Sequence, residues 1–179
     1  MKSIYLTGSD GFIASNLIQL FKKKNLNLIL LNRKSRLDFL LEKEHQNILV
    51  WAGEPSNISL VNKSDYSEQN NLSKIYRIFL EKNFDQVIYL SSVQIYKKKT
   101  TGYFYEEGDE ISTNTNYSRG KAEREEITLS SRKGCVLRLS NVYGKGMKNN
   151  LFSDIRDEIL LKGKKISIRN FNSIADFLF

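Results

Sequence analysis

The stretch that decides the fold is SIYLTGSDGFIASNL, residues 3–17. A short apolar run ending at Thr7 leads directly into Gly8, then Gly11, then Ala14, and an apolar helical pattern follows. Strand before and helix after is the context a glycine phosphate loop requires. Gly8 permits the tight turn, Gly11 lets backbone approach a pyrophosphate, and a small Ala14 lets the helix pack on the sheet. The helix N-terminus then offers N–H groups and the positive end of its dipole to negative charge. A plain strand–turn–helix, with glycines for the turn alone, is the alternative. Position and context favour a dinucleotide, with Gly8, Ser9, Asp10, Gly11, Phe12 and Ile13 against it.

Outward from this loop, apolar runs alternate with longer amphipathic stretches. Strands are expected at 3–7, 26–32, 47–52, 86–92 and 135–140, with a short one at 165–170. Continuous apolar runs of this kind suit strands buried on both faces of a parallel sheet. Helices are expected at 12–24, 72–83, 117–131 and 152–163. Between Asn32 and Asn47, Leu37-Asp38 reads as a minimal strand and FLLEKEH (39–45) as a short helix. Alternation of strand and helix implies right-handed crossovers and an α/β, doubly wound parallel sheet of the Rossmann type. At 179 residues the chain is long enough for one domain and short for two. Residues 1–179 are read as one NAD(P)-binding domain, whose last part, from about 141, includes the start of a substrate-binding portion.

Composition removes several functions. With one Cys and one His, neither a disulfide framework nor a Cys/His metal cluster can form, and no metal is expected. Ser-His-Asp catalysis would rest on His45, which sits in the polar run EKEHQN. No segment approaches the roughly 18 apolar residues of a membrane span. The N-terminal apolar run is also too short for a signal peptide, so a cytoplasmic protein is expected. The net charge of +8 raises nucleic acid as a partner. However, Lys22 to Lys24 and Lys97 to Lys99 lie apart without interleaved aromatics. No nucleic-acid partner is expected, although positive charge can steer a phosphate-bearing substrate.

The second strand should end on the residue that reads the adenine ribose, Asp or Glu for NAD. Asn32-Arg33-Lys34-Ser35-Arg36 stands there instead, and its cations suit a 2′-phosphate. NADP is therefore favoured over NAD. Ser91 and Ser92 end the run QVIYLSS at the carboxyl edge, where ligands bind in open α/β sheets. In NYSRGKAEREE (116–126), Tyr117 and Lys121 are four residues apart and share one helical face, while Glu123 to Glu126 read as a solvated outer face. A phenol is a poor base at neutral pH, and a nearby ammonium favours its ionised form. Tyr117 could then exchange a proton with a substrate hydroxyl or ketone.

TGSDGFIASNL, YLSSVQIY, YSRGK and VLRLSNVYGKG together, in order over nearly the whole chain, resemble the extended short-chain dehydrogenase/reductase family. More narrowly they resemble its NAD-dependent epimerase/dehydratase group, which acts on nucleotide sugars. The resemblance implies Ser92, Tyr117 and Lys121 as the catalytic set. Ser92 would bond the reacting oxygen, and Lys121 would hold the nicotinamide ribose. It implies backbone of Ala52, Gly53 and Leu139 along the cofactor, Asp38 near the adenine, and Ser91 at its edge. Asn71 would open the next helix and buttress the site, and Asn141 would join Ser92 against the substrate. Relatives pair through the helices around Tyr117, so a homodimer is implied.

Departures narrow the reaction. Dehydratases of the group carry Asp-Glu directly after the Ser/Thr position, where Val93-Gln94 stand here. The 3,5-epimerising reductases carry a Cys where Val93 stands. C4 epimerisation and reduction of a 4-keto sugar remain. The resemblance also leads past NSIADFLF (172–179) into further substrate-domain sequence, so a truncated chain is expected. A dinucleotide-binding module without turnover is the alternative function.

Overall fold

The computed structural model describes residues 1–31, 39–99 and 104–144, and the backbone of 177–178. Its elements run β1 (Lys2–Thr7), α1 (Phe12–Lys23), β2 (Asn27–Leu31), β3 (Gln46–Trp51), α2 (Ile58–Lys63), α3 (Ser67–Leu80), β4 (Gln86–Ser92), α4 (Asn116–Leu129) and β5 (Gly134–Leu139). A 3₁₀ turn at Val93–Ile95 follows β4. The sheet order is β2-β1-β3-β4-β5, with every pairing parallel. Two short strands, β6 (Asn141–Val142) and β7 (Phe177–Leu178), pair separately and in parallel. This is the doubly wound Rossmann-like sheet that the alternating pattern implies.

Side chains alternate across the sheet, and two apolar layers follow. Ile4, Leu6, Val50 and Leu90 meet Ala14, Leu17, Ile18 and Phe21 of α1 on one face. On the other, Tyr5, Leu49, Trp51, Val87 and Tyr89 meet Tyr76 and Phe79 of α3 and Ile127 of α4. Each such buried side chain contributes about 1.5–3 kcal/mol, well above the differences in helix propensity at stake.

The five expected strands match those observed to within one residue at each end. Other expectations need correction. FLLEKEH forms no helix: Glu44 takes a positive φ of 64°. Phe39 instead places its ring among Tyr5, Phe79 and Phe84. Tyr5 pins this segment, its hydroxyl accepting from Glu42 N at 2.8 Å and donating to Leu40 O at 3.3 Å. The helix expected from residue 72 begins at Ser67, because Gln69 and Ser73 are buried by polar bonds that an apolar period does not register. Helix α2, capped by the Asn57 side chain, was not expected; it buries a single apolar residue, Val61. Leu37-Asp38, the helix at 152–163 and the strand at 165–170 lie outside the described residues. No helix among the described residues is long and apolar enough to cross a membrane.

Candidate active site

The strand order reverses between β1 and β3, and in open α/β sheets ligands bind outside the carboxyl ends of the strands at that point. Gly8 follows β1 with a φ of +67°, a conformation that favours glycine. A Cβ there would lie 2.5 Å from Gly53 Cα and 2.8 Å from Ala52 O. The two backbones thus touch across the switch point, leaving a cradle with no side chain of its own. Thr7 fixes that contact: its Oγ1 accepts from Ala52 N at 3.0 Å and Gly53 N at 3.1 Å. Ser9 and Asp10 form the turn, closed by Gly11 N donating to Gly8 O at 2.8 Å. Gly11 then caps α1, where no side chain caps the helix and its first turn holds no acid. Nothing in that first turn competes with an anionic ligand. Phe12 and Ile13 open the helix, and a Cβ at Gly144, beyond β5, would lie 3.4 Å from the Phe12 ring.

At the same edge, Ser92 ends β4 and pairs with Leu139, the end of β5. Ser92 Oγ accepts from Gln94 N at 3.2 Å, which leaves the hydroxyl proton to be donated. Ser91 is 4% exposed, and its Oγ has no partner among the described residues. By strand alternation it shares the face of Tyr89, beneath α4. Asn141 is exposed and lies in β6, opposite Phe177.

Helix α4 brings Tyr117 and Lys121 over this edge. Thr115 and Ser118 form a capping box at its start. Asn62 Oδ1 accepts from Tyr117 N at 2.9 Å, so α2 holds the first turn from outside. Lys121 Nζ lies 5.9 Å from the Tyr117 ring centre and donates to Leu90 O at 3.0 Å, two residues before Ser92. Its second partner was not foreseen. Glu54 Oε2 is 3.0 Å from Lys121 Nζ, and both side chains are buried. Glu54 also receives Arg124, with Nε to Oε1 at 2.6 Å and Nη2 to Oε2 at 3.1 Å, and the Tyr89 hydroxyl at 2.7 Å. Burial alone raises a carboxyl pKa, but Lys121 and Arg124 outweigh it and hold Glu54 down at about 2. Burial and the Glu54 charge push Tyr89 well up.

The reading of Glu123 to Glu126 as a solvated face fails at its centre. Arg124 is 1% exposed and Glu125 3% exposed. Arg124 also reaches Ser73 Oγ at 3.0 Å and Gln69 Oε1 at 2.9 Å, while Glu125 binds Arg138 of β5. Each charge is buried against an opposite charge, so the apolar period gives no sign of it. Asn71 does not open a helix. It is exposed in the second turn of α3, whereas Gln69 and Ser73 of that helix face inward. Asn32, Arg33 and Asp38 lie outside the described residues. His45 is away from the site: its Nδ1 meets Ser3 Oγ at 2.6 Å, at the opposite end of β1. The one sequence signal for Glu54 is its place directly after Gly53, in a segment already assigned to the cofactor wall.

Solved structures share this fold. UDP-glucose 4-epimerase of Thermotoga maritima, with UDP-glucose, has a TM-score of 0.77 at 16% identity, over 98% of this chain and 69% of that one. UDP-N-acetylglucosamine 4-epimerase of Bacillus cereus has a TM-score of 0.73 at 19% identity, over 99% and 69%. RMD of Pseudomonas aeruginosa, complexed with NADPH, has a TM-score of 0.67 at 17% identity, over 83% and 56%. At these identities the likeness is one of fold. No curated protein sequence matches the chain. The family model for the NAD dependent epimerase/dehydratase family matches residues 4–179, and the chain belongs to that family.

Proposed function

We propose that the chain binds a nicotinamide dinucleotide at the β1/β3 switch point and uses Ser92, Tyr117 and Lys121 to interconvert a carbinol and a ketone on a nucleotide sugar. The reaction is C4 epimerisation or 4-keto reduction. The observation that carries this reading is the seating of Lys121 on the Leu90 carbonyl at 3.0 Å, beside the end of β4, and on Glu54, the residue after Gly53 of the glycine cradle. The cradle suits the group, because Gly8 and Gly53 leave room only for backbone where a pyrophosphate would approach. When bound, the nicotinamide supplies the hydride chemistry.

This chain's residues supply the rest. Backbone of Gly8 to Ile13 receives the pyrophosphate, and that of Ala52, Gly53 and Leu139 lines the path to the sheet edge, with Ser91 beside it. Lys121 holds the ribose next to the nicotinamide. Tyr117 gives or takes the proton of the sugar oxygen, and Ser92 donates to that oxygen. Asn141 meets the substrate from beyond β5. The cationic run after β2, with Asn32 and Arg33, supports NADP over NAD, and Asp38 belongs beside the adenine. Val93 and Gln94 offer no carboxyl for loss of water, which argues against a dehydratase.

The test is titration with NADPH and NADH, followed by turnover of UDP-linked hexoses and 4-keto sugars. Tyr117→Phe should lower kcat by about a hundredfold or more and leave cofactor binding intact. Turnover unaffected by Tyr117→Phe would refute the assignment. One observation favours a second reading, a binding module without turnover: Lys121 is already held by a hydrogen bond to Leu90 O and an ion pair with Glu54. Dinucleotide binding with no turnover on any of these sugars would establish it.

A further inference from the structure

We propose that Glu54 is a positioning residue for Lys121, and that through it the wall of the cofactor cradle sets where the ammonium stands. This rests on the dinucleotide reading above. Gly53 is fixed on Thr7 Oγ1 and against Gly8, and Glu54 is the next residue along the chain. Its carboxylate accepts three hydrogen bonds, from Arg124 Nε and Tyr89 OH on Oε1 and from Arg124 Nη2 on Oε2, and Oε2 also stands 3.0 Å from Lys121 Nζ as an ion pair. An ammonium has three N–H donors. Leu90 O takes one of Lys121's, and Glu54 holds the ammonium as an ion pair, which leaves N–H donors for a ligand hydroxyl.

Arg124 makes the arrangement useful rather than merely neutral. One carboxylate between two cations leaves the cluster with a net charge of +1, so Lys121 is held without its charge being cancelled. Gln69 and Ser73 keep Arg124 in place from α3. A purely structural ion pair between Glu54 and Arg124 would not require Lys121 on the same oxygen as Arg124 Nη2.

The test compares whole dinucleotides with fragments that lack the nicotinamide ribose. Glu54→Gln alone leaves two buried cations facing each other, so the charge-balanced E54Q/R124M variant is measured beside it. Calorimetric titration uses NADPH and NADH, against adenosine 2′,5′-bisphosphate and ADP. Loss of the positioned donor should weaken the dinucleotide about tenfold and leave the fragment within about twofold. Lys121→Met should give the same pattern. Equal weakening of dinucleotide and fragment would mean that Glu54 supports only the cradle, and no weakening of either would mean that it does not act on Lys121. Both results overturn the positioning role while leaving the dinucleotide site standing. A wild-type chain that binds neither dinucleotide overturns both.

Discussion

The Glu54 cluster makes a prediction about acid stability that is independent of any ligand. In the folded chain Glu54 is held at about 2, against an ordinary 4.5, because Lys121 and Arg124 overcome the cost of burial. At about 1.36 kcal/mol per pH unit, the ionised group contributes about 3 kcal/mol to folding. The folded value lies below the unfolded one, so this contribution is complete above pH 4.5 and fades as pH falls towards 2. About 1 kcal/mol should be gone by pH 4 and about 2 kcal/mol by pH 3. Other carboxylates also titrate in this window, so the comparison must isolate Glu54. E54Q/R124M removes one buried acid and one buried base and carries the rest unchanged. Urea unfolding of both proteins at pH 7, 4 and 3 gives the difference in stability at each pH. That difference should shift in favour of the variant by about 2 kcal/mol between pH 7 and pH 3. A gap that stays constant with pH would show that Glu54 is not held low in the folded state.

Other substitutions test the surrounding geometry. Gly8→Ala places a Cβ against Gly53 Cα in a left-handed conformation. With about 1–2 kcal/mol for the dihedral and about 1–3 kcal/mol for the collision, a loss of about 3 kcal/mol is expected in urea unfolding. Gly120→Ala is informative by its sign. Helix propensity alone favours alanine by about 1 kcal/mol, but the Cβ would stand 2.5 Å from Gln69 Oε1 and push it off Arg124. With about 2 kcal/mol for the broken buried bond, thermal unfolding should show a net loss of about 1 kcal/mol. Arg138→Met strips Glu125 of its partner and frees Tyr96 and the Glu107 carbonyl. It should cost about 3 kcal/mol and speed amide exchange at Lys97 and Ser112, which close the neighbouring loop through Glu110 O and Ile95 O.

Where apolar residues did the folding, the sequence was easily read. The runs that became β1, β3 and β4 are largely buried on both faces, so their composition announces them. The glycine turn was legible because steric limits leave few residues able to stand at Gly8. The polar architecture was less visible. Gln69, Ser73, Arg124 and Glu125 are buried by partners far along the chain, and no local pattern separates such residues from solvated ones. The resemblance placed Asn71 at a helix start, whereas α3 begins earlier, on polar residues whose inward face only its packing against α4 reveals. Glu54 combined both difficulties, a charge in a loop whose partners come from α4 and β4.

Arg124 and Glu125 are neighbours, separated by about 100° around the axis of α4. One is anchored on the segment after β3 and on α3; the other is anchored on β5 and, through Arg138, on the loop beyond β4. An apolar stripe tolerates a few degrees of roll, because one methyl group can replace another in the same hollow. Two ion pairs pulling in different directions do not. The rolling angle of α4, and with it the bearing of Tyr117 and Lys121, is therefore set by charge. A variant with both pairs replaced by well-fitting apolar residues could fold as firmly and still lose its aim.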